Sequence, residues 1–404
     1  MRIAVAAWSN RQVGGVEAYL ADTLPALAAL GHSLVLIYET SAPANRPEIP
    51  LPPAIALWPR DQFNDVLARL REWRPDVLFC HGLTDAQFER DLTGLAPSVL
   101  YAHNYTGCCI SGAKTFAFPV TRPCERRFGP VCLVRFYPRR CGGLNPLTMM
   151  QLYRRGMLAH QNFRCYKRIV TASEHLRRAL IGQGLPPHVV RALRPPLQAP
   201  DAVENPCAAA PPRPAAPWRL LFLGRMTELK GGEMLLRALP DAAAQLPRPL
   251  HLTFAGDGPA REKWESRAAQ ITAATSNLTI TFTGWLDPLH RAAAFAQTHL
   301  LVVPSLWPEP FGRVGVEAGW RRIPAAAFAV GGIPEWLHEG GGGHLAPGDP
   351  PTSDGLAEAI CRCLSDPIHW ARLAAGARRE AEQYLARAHA QRLISLFEGC
   401  LCDA

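Results

Sequence analysis

Short apolar runs alternate with longer amphipathic stretches along the first half of the chain. Each run is bounded by Gly, Pro or polar residues, which is typical of strands. Predicted strands are Arg2–Trp8, Ser33–Tyr38, Asp76–Cys80, Ser98–Ala102 and Arg168–Ala172. A helical pattern runs from Val16 to about Leu30. Strands that alternate with helices predict a parallel sheet with helices on both faces.

The same alternation starts again after a stretch dense in Pro and Ala, residues 196–217, which reads as a linker. Further predicted strands are Arg219–Gly224, Leu252–Ala255, Leu278–Thr283, His299–Val303 and Pro324–Ala327, with helices at Gly232–Ala244 and Ala260–Ala269 and a helical pattern over Asp366–Cys402. We therefore predict an α/β fold of two doubly wound, Rossmann-like domains. The N-terminal domain spans 1–195, the C-terminal domain 218–380, and a final helix 381–404.

Composition narrows the class of protein. A chain of 404 residues suits two domains, and 48% hydrophobic with 19% charged residues is typical of globular proteins. The net charge of +9 is spread along the chain and no nucleic-acid module is evident, so we expect no nucleic-acid partner. The first apolar run is too short for a signal peptide, and no run of 18 apolar residues occurs. We expect a cytoplasmic protein, with peripheral contact to the inner face of the membrane left open.

The strongest chemical signal is the stretch Pro304-Ser-Leu-Trp-Pro-Glu-Pro-Phe-Gly-Arg-Val-Gly-Val-Glu317. Glu309 follows a predicted strand, and Phe311 and Gly312 begin a helix whose free amides can face an anion or a sugar hydroxyl. Glu317 lies eight residues further on, inside that helix. A carboxylate only accepts hydrogen bonds, which suits paired ribose hydroxyls.

Three other loops follow predicted strands in the second half. The loop Gly224–Gly232 carries Arg225 and Lys230, and two cations suit a diphosphate leaving group. Gly256 and Gly258, in Ala-Gly-Asp-Gly-Pro, permit close approach of a ligand to the backbone. Gly-Gly-Ile-Pro-Glu335 is interpretable either as packing or as a ligand contact.

The first half contributes two weaker candidates. Gly14 and Gly15 lie between the first strand and its helix, where backbone amides can meet a phosphate. His103 follows a strand; it is either a structural histidine or a group that positions the acceptor hydroxyl or the donor sugar.

Residues 106–145 form an unusual insertion rich in Cys and Arg. Cys109, Cys124, Cys132 and Cys141 can form a four-thiolate zinc site, although no Cys-x-x-Cys pair is present and free thiols are the favoured interpretation. The arginines of the segment are Arg122, Arg126, Arg127, Arg135, Arg139 and Arg140. They form either a solvated basic insertion or a surface for an anionic acceptor or anionic headgroups.

Taken together, these motifs resemble glycosyltransferase family 4, which has the two-domain GT-B fold. The resemblance is densest from Arg219 to Asp349 and includes Ala346-Pro-Gly-Asp349. It implies two domains that face each other across a cleft, with the final helix crossing back to the first domain. It also implies a retaining, metal-independent hexosyltransferase that takes its sugar from a nucleotide-diphosphate donor, with UDP or GDP expected, and passes it to a hydroxyl acceptor. A role in polysaccharide or glycolipid biosynthesis is expected.

The resemblance also assigns roles to residues. It implies that Arg225 and Lys230 hold the diphosphate, Glu309 the sugar hydroxyls and Glu317 the ribose. Phe311 and Gly312 would contribute amides, and Gly15 would close over the phosphate. A nucleotide-sugar epimerase and a non-catalytic nucleotide-sugar-binding protein on the same fold remain alternatives. The donor sugar, the acceptor and the oligomeric state stay open.

Overall fold

A computed structural model of the protein describes residues 1–40, 46–60, 65–197 and 216–402. Its strands are β1 Arg2–Ser9, β2 Ser33–Thr40, β3 Ala56–Pro59, β4 Val77–Cys80, β5 Ser98–Ala102, β6 Thr115–Phe116, β7 Arg122–Pro123, β8 Arg168–Thr171, β9 Val190–Ala192, β10 Trp218–Leu223, β11 Leu250–Ala255, β12 Leu278–Gly284, β13 Leu300–Val303, β14 Ala325–Phe328 and β15 Gly343–Ala346. Most of the predicted linker 196–217 lies outside the described residues.

The helices begin and end as follows. They are α1 Gly15–Ala29, α2 Val66–Trp73, α3 Ala86–Thr93, α4 Val131–Phe136, α5 Pro146–Asn162, α6 Glu174–Ile181, α7 Gly232–Gln245, α8 Arg261–Ala274, α9 Pro288–Ala296, α10 Arg313–Trp320, α11 Ser353–Leu364, α12 Pro367–Ala381 and α13 Ala386–Cys402. Four 3₁₀ turns lie at Phe163–Cys165, Glu228–Lys230, Ile333–Glu335 and Glu382–Tyr384.

The chain folds as two compact units. Unit 1 comprises Met1–Pro119, Cys124–Gln198 and Tyr384–Ala404, and unit 2 comprises Val120–Pro123 and Ala199–Gln383. Each unit contains one parallel sheet, with the strand order β3-β2-β1-β4-β5-β8-β9 in unit 1 and β12-β11-β10-β13-β14-β15 in unit 2. The predicted pair of doubly wound α/β domains is therefore confirmed.

The central strands of both sheets are buried on both faces, as strands of parallel sheets are when helices cover them. In unit 1 the side chains of Ile3–Ala7 in β1 and of all four β4 residues are buried. In unit 2 every residue of β13 and β14 is buried. Continuous apolar runs, rather than alternating ones, are the sequence pattern that this burial demands.

The last helix belongs to unit 1, as the resemblance implies. Helix α13 packs on α1, and its Phe397 is fully buried against Phe79 of β4 at 5.2 Å between ring centroids. The hydroxyl of Tyr19 in α1 and Nε2 of His389 in α13 are 2.8 Å apart, in a buried hydrogen bond. The C-terminal residues thus complete the core of the N-terminal domain.

Each sheet has one central strand at which the order of the strands reverses direction. In unit 1 the chain leaves β1 towards β2 on one side, and β4 lies on the other side. In unit 2 the strand β10 has β11 on one side and β13 on the other. Loops at the carboxyl ends of such central strands diverge and leave a crevice, which is where open parallel sheets bind ligands.

Candidate functional site

In unit 2 the loops after β10 and β13 meet at this crevice. The first loop contains Arg225 and Lys230, and the second contains Glu309. The amide of Leu306 donates to the carbonyl of Leu229 at 2.8 Å, which fastens the two loops together. The structure therefore brings Lys230 and Glu309 to one place from positions 79 residues apart.

The Lys230 ammonium and the Glu309 carboxylate form a direct ion pair through Oε1 of Glu309. Ser305 Oγ donates to the same oxygen at 2.7 Å. Lys230 Nζ also lies 5.3 Å from the ring centroid of Trp307. Glu309 is only 5% exposed, so the pair is largely shielded from water on the carboxylate side.

Burial on its own would raise the pKa of Glu309. The charge of Lys230, together with hydrogen bonds from Lys230 and Ser305, outweighs the burial, so the pKa lies below its ordinary value. Glu309 is thus ionised at neutral pH and acts only as a hydrogen-bond acceptor.

This pKa shift predicts how stability depends on pH. A carboxyl whose pKa is lowered by folding stabilises the protein above the unfolded pKa, about 4.3 for glutamate, and the contribution is lost as the pH falls through the folded pKa. We expect wild type to exceed Glu309→Gln in stability by a constant amount near neutral pH and by a shrinking amount below about pH 4.3. Urea unfolding at a series of pH values measures this difference.

Glu17 provides a control, because its pKa is shifted in the opposite direction to that of Glu309. Burial raises the pKa of Glu17, which caps α1 by accepting the amide of Gly14 at 2.8 Å. The stability of wild type relative to Glu17→Gln should therefore fall, not rise, as the pH rises above about 4.3. If the stability of wild type relative to Glu309→Gln also falls as the pH rises, the assignment of a lowered pKa to Glu309 is wrong.

Glu317 is also buried, at 7% exposure, and lies within α10. Its carboxylate forms an ion pair with Arg291 of α9. The glutamates at 309 and 317 are therefore not solvated surface residues. The pairing with Arg291 fixes the Glu317 side chain, and its predicted contact with a ribose stays a prediction.

At several positions in the motifs, close packing of neighbouring backbone explains why the residue is glycine. A Cβ on Gly331 would overlap the backbone of Pro308 and Glu309, and the amide of Gly332 donates to the Glu309 carbonyl at 2.7 Å. A Cβ on Gly256 or Gly258 would overlap the backbone of Gly224 or Met226. These glycines let neighbouring loops touch the loops of Arg225 and Glu309. Their donor-binding roles remain untested.

Phe311 and Gly312 form the turn into α10. Phe311 is buried, and its carbonyl accepts from Nε1 of Trp336 at 2.7 Å. Gly312 is the N-cap of α10 with φ of +91°, and the Trp336 ring lies directly beside it. Trp336 thus sets the entry angle of the helix whose first amides are the predicted donor contacts. Arg225, by contrast, is exposed.

In unit 1, His103 follows β5, and its Nε2 lies 2.9 Å from Nδ1 of the buried His81. Burial lowers the pKa of His81 well below its ordinary value, and the charge of His103 adds to this. His81 is therefore neutral and holds His103 at the carboxyl end of the sheet. Tyr19 packs edge-on against His103 at 5.2 Å between ring centroids.

Gly14 and Gly15 behave differently from the glycines of unit 2. Both are exposed at the start of α1, and a Cβ on Gly15 would meet no atom within 4 Å. Neither has a φ in the left-handed region. The fold of unit 1 therefore gives no reason for glycine at 15, which leaves close approach of a ligand as the reason to test.

The cysteines of the insertion do not assemble into a metal-binding set. Among the described residues, no group of three or more His, Cys, Asp or Glu side chains is placed to hold a metal ion. Cys109, Cys124, Cys132 and Cys141 are free and half-buried. Burial, followed by the neighbouring thiols, raises the pKa of Cys141 to about 12, and burial also raises that of Cys124. The four thiols thus lie near enough to affect one another's pKa without forming a metal-holding group among the described residues, and the zinc site and the free thiols both stay predictions.

Sequence reasoning missed several partners in these sites. They are His81, Arg291, Ser305, Trp307 and Trp336. His81 directly follows the predicted strand 76–80, so its position at a strand end was a usable signal. Trp336 directly follows the motif Gly331–Glu335, which was also a usable signal, whereas nothing in the neighbourhood of Arg291 indicates a contact with the glutamate motif.

No helix within the described ranges is both long and apolar enough to span a bilayer.

Two family models match the chain. Glycosyltransferase Family 4 matches residues 13–198 and Glycosyl transferases group 1 matches residues 217–366. Among curated proteins, the chain is 35% identical to the glycogen synthase of Mycobacterium tuberculosis over 202 residues, 49% of this chain and 43% of the relative. It is 33% identical to D-inositol 3-phosphate glycosyltransferase 1 of Catenulispora acidiphila over 189 residues, 45% of this chain and 44% of the relative. Each alignment thus covers less than half of the relative's own length.

The fold has counterparts among solved structures. Anabaena HepE in complex with UDP and glucose superposes with a TM-score of 0.68 and 16% identity, covering 98% of this chain and 99% of that one. An identity this low bears on the fold alone. The two family models together span most of the chain and agree with the paired α/β sheets. The chain therefore consists of a Glycosyltransferase Family 4 domain followed by a Glycosyl transferases group 1 domain, in the GT-B fold.

Proposed function

We propose that the protein is a retaining glycosyltransferase that moves a hexosyl group from a nucleotide-diphosphate sugar to an acceptor hydroxyl without a metal ion. The buried Lys230–Glu309 pair at the carboxyl ends of β10 and β13 carries the proposal. It sets a cation for a leaving phosphate next to an ionised carboxylate that can accept sugar hydroxyls. The HepE structure in complex with UDP and glucose and the relative named D-inositol 3-phosphate glycosyltransferase 1 support this proposal.

In the proposed reaction the bond between the anomeric carbon and the phosphate oxygen breaks. The acceptor oxygen bonds to the same face of the anomeric carbon, and its proton passes to the departing phosphate oxygen. Lys230 and Arg225 stabilise the negative charge that develops on the diphosphate. Glu309 orients the sugar through its hydroxyls, and His103 positions a reactant hydroxyl. No protein nucleophile is needed.

The deciding experiment is a donor screen. The purified protein is incubated with a panel of UDP- and GDP-hexoses, and release of the free nucleoside diphosphate is measured with and without EDTA. We expect slow, EDTA-resistant hydrolysis of one donor, and NMR of the first product should show the anomeric configuration of the donor. Isomerised nucleotide sugar without diphosphate release would instead indicate an epimerase. Binding by calorimetry without turnover would indicate a non-catalytic protein.

Gly15 offers a test from the other unit. Because space above Gly15 is open, Gly15→Ala should leave the thermal midpoint unchanged. If a donor phosphate approaches this backbone, the added methyl displaces it, and misplacement of this kind costs roughly 10- to 100-fold in kcat/KM. Donor hydrolysis rates and thermal unfolding of the same samples measure the two effects.

The matched control is Gly399→Ala. Gly399 is also exposed, lies in helix α13, and has nothing within 4 Å of a built Cβ. Because alanine favours a helix more than glycine does, Gly399→Ala should raise the thermal midpoint slightly and leave turnover unchanged. Unchanged turnover in Gly15→Ala would remove Gly15 from the donor site.

A further inference from the structure

The net charge was expected to be spread along the chain, and Lys and Arg do occur throughout it, but their excess over Asp and Glu lies in one segment. Between Glu125 and Glu174 the chain has no Asp or Glu, and it carries ten Lys and Arg residues. The whole chain has a net charge of +9, so everything outside this segment has a net charge of −1. The proposed donor site accounts for none of these ten residues.

The same segment exposes apolar side chains. Seven of the sixteen exposed large hydrophobic side chains among the described residues lie between 131 and 158, a stretch well under a tenth of the chain. Leu144, Val134 and Leu147 are 83%, 74% and 71% exposed. Contiguous exposure of this kind marks an interaction surface, whereas single exposed residues do not.

Helix α5 shows the arrangement most clearly. Leu147, Met150, Arg154 and Leu158 follow one another at intervals of three and four residues, so they share a helix face, and all four are exposed. A helix on the surface of a globular domain normally turns its polar face outward. The exposed residues of α5 also include Thr148, Gln151 and Arg155, but this stripe of its exposed surface is apolar, with an arginine between the apolar residues.

This surface is attached to the rest of unit 1, because the amide of Phe128 donates to Oε1 of Gln183 at 2.7 Å and Nδ2 of Asn162, at the end of α5, donates to the carbonyl of Ala86 at 2.8 Å. Phe136 at the end of α4 is fully buried and packs against Gly142. Gly156 on the inner side of α5 packs against Phe128, whose ring also contacts Tyr153. The exposed side chains therefore project from an ordered base.

We propose that this α4–α5 surface, defined by Val134, Arg135, Leu144, Leu147, Met150 and Arg154, docks the protein peripherally on an anionic lipid bilayer. Interfacial helices bind membranes by inserting apolar side chains at the headgroup boundary while basic side chains meet anionic headgroups. Arg135 and Arg154 are exposed, and no described carboxylate pairs with either of them.

Charge and apolarity together favour a lipid surface over two other occupants. A nucleic acid would neutralise the arginines but would leave Val134, Leu144 and Leu147 without apolar partners. A second copy of the same surface would cover the apolar residues but would bring two acid-free basic segments together. A bilayer with anionic headgroups satisfies both features.

The test is co-sedimentation of the full-length protein with phosphatidylcholine vesicles with and without phosphatidylglycerol, at low and high salt. We expect binding only to the anionic vesicles, weakened by salt. Leu144→Ser/Leu147→Ser should reduce the vesicle partition coefficient by at least roughly tenfold. Arg135→Gln/Arg154→Gln should reduce it by roughly fivefold per arginine.

Matched controls lie elsewhere on the protein. Leu289→Ser/Ile368→Ser removes two side chains that are equally exposed, and Arg71→Gln/Arg178→Gln removes two exposed arginines of unit 1. Neither control should change partitioning. Thermal unfolding verifies that every variant is folded, and donor hydrolysis without vesicles should be unchanged by the surface variants. The readout is thus independent of the proposed transferase activity.

Three results would overturn the proposal. One is no binding to anionic vesicles at low salt. Another is binding of duplex RNA as tight as vesicle binding and unaffected by Leu144→Ser/Leu147→Ser. The third is a concentration-dependent dimer in sedimentation velocity that the same double variant dissociates.

Discussion

Lys230→Ala should abolish most donor turnover. Loss of one preorganised group that stabilises developing charge typically costs about 10²–10³ in rate, and Lys230 is the cation closest to the buried carboxylate of the site. We expect kcat/KM for donor hydrolysis to fall by about 10³. Initial rates of nucleoside diphosphate release measure it.

The variant should also lose stability, because Glu309 stays buried with its partner removed. Breaking one side of a buried ion pair costs about 3–5 kcal/mol, and the partial exposure of Lys230 places our expectation at or below the lower end, about 2–3 kcal/mol. The double variant Lys230→Ala/Glu309→Gln removes the orphan charge. It should recover most of the stability and none of the turnover.

Lys263→Ala is the matched control. Lys263 also pairs with a glutamate, Glu228, at 2.9 Å, but both side chains are well exposed. Exposed pairs contribute about 0–1 kcal/mol, so neither stability nor turnover should change much. Equal losses in Lys230→Ala and Lys263→Ala would show that Lys230 has no special role. Recovery of turnover in the double variant would mean that the Lys230 charge is not needed for chemistry.

Most strands of the two parallel sheets could be predicted from the sequence, because their burial requires apolar residues. Strands buried on both faces are apolar throughout, so runs such as Leu300–Val303 can be recognised in the sequence without knowledge of the neighbouring strands. Loops that follow such strands are then known to share one edge of a sheet. Lys230 and Glu309, far apart in sequence, both lie in such loops, and the resemblance to glycosyltransferase family 4 assigns them to one predicted donor site.

Helix α5 was not predicted, and the reason is instructive. Its exposed residues include Leu147, Met150 and Leu158 as well as polar ones, so the helix lacks the clean separation of apolar and polar faces that identifies a surface helix. The pattern that hides the helix is the same pattern that marks the proposed membrane surface. The absence of a regular amphipathic pattern in α5 thus itself points to an exposed interaction surface.

Pairings between distant segments form the other part that sequence could not supply. Glu317 was assigned to a ribose on the basis of resemblance, but its ion pair with Arg291 depends on how α9 packs beside α10. Gly-Gly-Ile-Pro-Glu335 was open between packing and ligand contact. The structure gives Gly331 and Gly332 a packing role against Glu309. Such assignments need tertiary contacts that local patterns do not encode.

Gly231→Ala should destabilise unit 2 strongly. Gly231 has a φ of +73°, and a Cβ there would overlap the carbonyl of Pro304. The left-handed conformation alone costs about 1 kcal/mol, and forcing the two loops apart raises the expected total to about 3–5 kcal/mol. Urea unfolding, followed separately for the transition of each unit, measures this loss.

Gly340→Ala separates the cost of the left-handed backbone conformation from the cost of the overlap with Pro304. Gly340 has nearly the same φ, +70°, but a Cβ there meets nothing within 4 Å. It should therefore show only the conformational cost of about 1 kcal/mol. The difference between the variants reports the close approach of the Lys230 loop to Pro304, on which the ion pair with Glu309 depends. If both variants lose the same stability, that approach is not what holds Lys230 in place, and the donor site must be positioned by other contacts.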